Sequence, residues 1–174
     1  MMKLYHYYEK SVGPFHSISD LPDDEANRLL DRIRKEKPEA FLSKRPEDYV
    51  AKRRHFEGIL REEFLKKGGL IERETPHYFV VEAVPFFEKW YDRTAFVEID
   101  AKQLDLRTVS FTYGDSHPTF SGKVRMEKNT GIAYIRMMKS WKSLKNMDFR
   151  RIGILILSSA LSATWKCRSG ATEG

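Results

Sequence analysis

The sequence predicts a mixed α+β domain with two N-terminal helices and a mixed or largely antiparallel sheet. Three observations carry that expectation. Apolar residues recur at helical spacing between residues 19 and 69. Strand-type runs rich in aromatic and β-branched residues follow at 77–84, 95–100 and 106–113. The segments that join those runs are short, which suits antiparallel pairing. A length of 174 residues, with 41% hydrophobic and 13% aromatic residues, suits one domain over 1–174 with a sizeable core.

The elements follow in order. LYHYY at 4–8 is aromatic and β-prone, so it reads as an early strand that joins the sheet from a distance. Alternation sends His6 and Tyr8 to one face and Tyr5 and Tyr7 to the other. Gly13-Pro14 marks a turn. A first helix begins near Pro22, where Asp23, Asp24 and Glu25 favour the positive helix end, and it stops before Pro38. Ala26, Leu29, Leu30 and Ile33 form its apolar side.

Residues 46–69 predict a second helix with an apolar stripe of Tyr49, Phe56, Leu60 and Phe64. Arg53–Glu57, Glu57–Arg61, Glu62–Lys66 and Glu63–Lys67 are four-apart pairs of opposite charge, each worth roughly 0.2–0.5 kcal/mol on an exposed helix. Gly68 and Gly69 supply the stop. Beyond the first strand runs, FFEKWYD reads as one or two helical turns and IAYIRMM at 132–138 as a further strand. The apolar run at 152–165 reads as a buried strand or helix, being too short for a membrane helix.

Composition narrows the function classes. The single cysteine, Cys167, cannot form an intramolecular disulfide, which excludes a disulfide-stapled scaffold. The first residues lack the apolar core of a signal peptide, so a cytoplasmic location without integral membrane association is expected. No GxxxxGK[ST], complete GxGxxG, HExxH or cysteine pair is present, and no metal site is assigned.

The stretch YGDSH at 113–117 is the first candidate site. Gly114 permits close backbone approach, Asp115 can accept a ligand hydroxyl, and His117 can exchange a proton near neutral pH. Tyr113 can cover a ring. The same residues also make an ordinary turn, because Asp caps its own backbone and Gly and Pro fix the bend.

The second candidate is the early strand. Its Tyr5, His6 and Tyr7 resemble the opening motif of some ADP-ribosyltransferases. The resemblance implies that His6 contacts the nicotinamide-nucleotide side of NAD, with Ser17 and Ser19 near the pocket and an aromatic side chain against the nicotinamide ring. It also implies a later catalytic Glu, to which no residue of this chain is assigned. The residues alone equally describe an aromatic strand packed on one face and wet on the other. Joined, the two segments predict a pocket for NAD or another nucleotide built from His6, Tyr113, Asp115 and His117.

Two further readings stay open. Residues 121–174 carry 11 basic and 3 acidic groups, against 20 and 22 in the preceding 120. Lys123, Arg125, Lys128, Arg136, Lys139, Lys142 and Lys145, with Tyr134 and Trp141 for stacking, suit a basic nucleic-acid-binding module. A structural or interaction protein without catalysis is the other.

Overall fold

The computed structural model describes the fold over residues 2–113 and 152–156. It is the expected α+β arrangement: two helices near the N-terminus and one antiparallel sheet. The elements are β1 (Lys3–Glu9), α1 (Asp23–Glu36), α2 (Tyr49–Lys66), β2 (His77–Val81), β3 (Thr94–Asp100), β4 (Val109–Tyr113) and β5 (Ile152–Ile156). Short 3-10 turns lie at Ile18–Asp20, Pro85–Lys89, Ala101–Gln103 and Leu106–Thr108.

The strands run in the order β3-β1-β2-β5-β4, and every neighbouring pair is antiparallel. The LYHYY strand is thus an interior strand, paired with β3 along its whole length from Lys3↔Asp100 to Glu9↔Thr94. Of the apolar run at 152–165, Ile152–Ile156 is a strand that fills the gap between β2 and β4. The predicted strand at 106–113 begins only at Val109, because Asp105 caps a 3-10 turn through Arg107 N–H. The predicted strand at 132–138 lies outside the described residues.

The alternation expected of β1 holds: Leu4, His6 and Tyr8 are buried, while Tyr5 and Tyr7 are half-buried on the other face. The buried face carries the larger core, with Phe79 and Val81 of β2, Val97 and Ile99 of β3, and Val109 and Phe111 of β4. Phe56 and Leu60 of α2 pack with Tyr78 on β2. Since Tyr78 alternates with the buried His77 and Phe79, α2 covers the opposite face of the sheet. Ala26 and Leu30 of α1 join Tyr49 and Val50 of α2 in a third cluster.

Both helix ends have local causes. Pro38 disfavours helical backbone at the residue before it, and Lys37 takes φ −137° and ψ 65°. Gly68 ends α2 at φ +82°, with its N–H on the Leu65 carbonyl and the Gly69 N–H on the Phe64 carbonyl. That pair of bonds is the Schellman arrangement. The expected stripe of Tyr49, Phe56, Leu60 and Phe64 is buried. Of the four expected charge pairs only Arg53–Glu57 forms among the described residues, and Lys66 bonds Glu63 at 2.8 Å, three residues back, in place of Glu62.

Candidate functional site

His6 sits in the middle of β1 with both ring nitrogens bonded to backbone. Nδ1 lies 2.9 Å from the Tyr78 carbonyl, and the Phe15 N–H donates to Nε2 at 3.2 Å. A carbonyl can only accept, so Nδ1 carries the proton and Nε2 is the acceptor. Phe15 stacks on the ring at 5.1 Å and 14°. Burial pushes the His6 pKa down, against the opposing bond to Tyr78. The ring is therefore neutral and occupied.

Of the other residues expected to share its pocket, Asp115 and His117 lie outside the described residues, and so does the basic region apart from 152–156. Tyr113 ends β4 in register with Ile152. Strands β2 and β5 stand between β1 and β4. With neighbouring strands roughly 5 Å apart, the Tyr113 backbone is on the order of 15 Å from His6. The described residues do not bring these two side by side.

They do bring together a different set, on the α2 side of the sheet. Arg53 and Glu57 face β2 from one turn of α2, and the 3-10 turn at Ile18–Asp20 closes over them. Two hydroxyl donors and one positive charge converge on one oxygen of Glu57. The Tyr78 hydroxyl donates to Oε1 at 2.7 Å, the Ser19 hydroxyl at 3.0 Å, and Arg53 Nε lies 3.1 Å away. No bond to the other oxygen, Oε2, occurs among the described residues, although the Glu57 side chain is only 8% exposed. The carboxylate is loaded on one side.

Arg53 is the hub. Its Nε donates its single N–H to Ser19 Oγ at 2.7 Å, Nη1 to the Tyr49 hydroxyl at 3.1 Å, and Nη2 to Ser17 Oγ at 3.4 Å. Its guanidinium lies 4.9 Å above the Tyr78 ring centre, a cation–π position. The side chain keeps 24% of its surface exposed, and its remaining N–H groups have no partner among the described residues. Burial drives the Tyr78 hydroxyl well above the ordinary phenol range; Arg53 opposes that, and the bond to Glu57 adds to it. The Tyr78 hydroxyl therefore keeps its proton at neutral pH and donates to Glu57.

A second polar cluster flanks the first, on the far side of the same 3-10 turn. Arg73 donates from Nη1 to His77 Nε2 at 2.9 Å and from Nη2 to Asp20 at 2.7 Å. Thr75 also donates to Asp20. Burial lowers the His77 pKa to about 4; Arg73 and His6 add to that, and Asp20 opposes it. The turn that carries Ser17 and Ser19 is thus clasped from both sides. Among the described residues no group of three or more His, Cys, Asp or Glu is placed to hold a metal ion, and no helix is long and apolar enough to cross a membrane.

The sequence held a signal for this site. Positions 49, 53, 56, 57, 60 and 64 share one helix face. Arg53 and Glu57 therefore lie inside the buried stripe, not beside it. A charged pair within an apolar stripe needs polar partners from another element, and those come from residues 17, 19 and 78, which no helical spacing reveals.

No protein-family model matches the chain, and no curated protein or solved structure matches it.

Proposed function

We propose that this domain binds a small nucleotide, NAD among the candidates, at the junction of the Ser17–Asp20 turn, α2 and β2. The observation that carries this reading is the one-sided loading of Glu57 next to a partly exposed Arg53. The free carboxylate oxygen accepts from a ribose hydroxyl. The spare guanidinium N–H groups donate to a phosphate oxygen. The protein's own groups hold both side chains in position, so little ordering cost remains for a ligand.

The likeness of LYHYY to ADP-ribosyltransferases supports the same place, since it sets Ser17 and Ser19 beside the pocket and those hydroxyls touch Arg53. Glu57 stands on a helix, whereas the residue that likeness asks for is a later one. The proposal is therefore of binding, with no reaction assigned.

Calorimetry with NAD, ADP-ribose, ATP and AMP tests it. Wild type binds at least one of them, while Arg53→Lys and Ser17→Ala, with unchanged far-UV spectra, bind at least about tenfold more weakly, the loss of one charge-assisted hydrogen bond. Absence of binding by wild type overturns the reading. Binding lost only in Asp115→Ala assigns the ligand to the 113–117 turn instead.

A further inference from the structure

Lys35 and Glu36 and, earlier on the outward side of α1, Glu25 and Arg32 are exposed charges that form no ion pair among the described residues. Between Glu25 and Arg32, Arg28 is held by Asp24, and Leu21 and Leu29 are half-buried. Leu21, Glu25, Arg28, Leu29 and Arg32 together line a shallow groove of about 490 Å³. The groove begins at Leu21, directly after the Ser17–Asp20 turn, but shares no residue with the Arg53 site and is independent of the nucleotide reading.

Glu25 and Arg32 are two helical turns apart, about 10.5 Å along the axis. They are equidistant from a point between Arg28 and Leu29. A twofold axis through that point lays a second α1 antiparallel on the first. It sets Glu25 of each copy against Arg32 of the partner subunit and brings the two Leu29 side chains together at the axis, while Arg28, held by Asp24 of its own chain, lies to one side. Such self-complementarity, with opposite charges at symmetric positions around an apolar centre, is what an isologous contact requires.

We propose that the α1 groove is the contact face of a weak twofold homodimer, closed by reciprocal Glu25–Arg32 ion pairs. One helix pair buries less than the roughly 1,200 Å² of a stable specific interface. The dimer is therefore concentration-dependent, and salt weakens it.

Sedimentation equilibrium of the full chain, from micromolar to millimolar concentration at low salt, tests the proposal. Wild type dimerises reversibly. Glu25→Arg and Arg32→Glu each place like charges together and weaken the dimer at least about tenfold, while the double variant restores it. Far-UV circular dichroism confirms that α1 persists in all three. A wild type that stays monomeric overturns the proposal. So does a dimer indifferent to both single changes, or a double variant no tighter than the singles.

Discussion

The backbone N–H of Phe15 donates to Nε2 of His6 at 3.2 Å, so the strand histidine fastens a residue held at φ +64°. A non-glycine residue in the left-handed region carries a cost of order 1–3 kcal/mol and persists only where its surroundings hold it. His6 does this with one nitrogen, while the other holds Tyr78 of the neighbouring strand.

His6→Ala is therefore expected to act on stability. It removes a buried ring in contact with Phe15, Tyr8 and Phe79 and strands the Phe15 N–H. The expected loss is about 2–4 kcal/mol in urea unfolding. A variant that unfolds at the wild-type midpoint would sink this view and return His6 to the role of a ligand contact.

Glu57 and Arg53 are expected to be strongly coupled. Glu57→Ala leaves the Ser19 and Tyr78 hydroxyls and the Arg53 charge without their shared acceptor, at a cost of about 3–5 kcal/mol. Arg53→Met alone removes the charge that Glu57 faces. In the double variant Arg53→Met, Glu57→Leu most of that loss is recovered, because a buried pair replaced by apolar groups of similar volume is often neutral. Additive losses in the double-mutant cycle would show that the two side chains act separately.

Acid is expected to loosen the fold before the carboxylates titrate. The His77 pKa is about 4 in the fold, below the ordinary histidine value of 6.5, so the folded state binds fewer protons than the unfolded chain. The contribution is fully present above pH 6.5 and is lost as pH falls from there to about 4. His6 is shifted in the same direction. Charged His77 turns its Nε2 acceptor into a donor facing Arg73. Its other charged neighbour, Asp20, only partly offsets that. Urea midpoints at pH 7.0, 5.5 and 4.5 measure the slope, and His77→Gln, which keeps an acceptor for Arg73, flattens it. Identical slopes for the two proteins would refute the assignment.

The helices and strands were legible because their apolar periods repeat over many residues. Tyr49, Phe56, Leu60 and Phe64 marked α2, and alternation in LYHYY marked β1. The interior position of β1 was not legible, since pairing with β3 and β2 joins residues some 90 and 75 positions away. The Arg53 site was hidden for the same reason. Its members come from the turn after β1, from α2 and from β2, and only tertiary contact turns an apparent surface pair into a buried one. His6 drew notice as a reactive side chain, yet its chemistry here is satisfied by two backbone groups that have no sequence signature.

Three glycines in and after α2 are expected to respond differently to the same added methyl group. Gly58 is in the exposed interior of the helix, where a Cβ meets nothing within 4 Å. Gly58→Ala therefore stabilises the protein, by up to about 1 kcal/mol, through helix propensity. Gly68 also has open space, but its φ of +82° strains any L residue, and Gly68→Ala costs about 1 kcal/mol. At Gly69 the Cβ would overlap the ring of Phe64, which is fully buried and has no room to yield. Gly69→Ala is accordingly the most damaging, at about 1–3 kcal/mol from overpacking. Thermal and urea unfolding of the three single variants should rank them Gly58→Ala above wild type, then Gly68→Ala, then Gly69→Ala. A Gly69→Ala protein as stable as wild type would mean that the helix end does not pack on Phe64 as described.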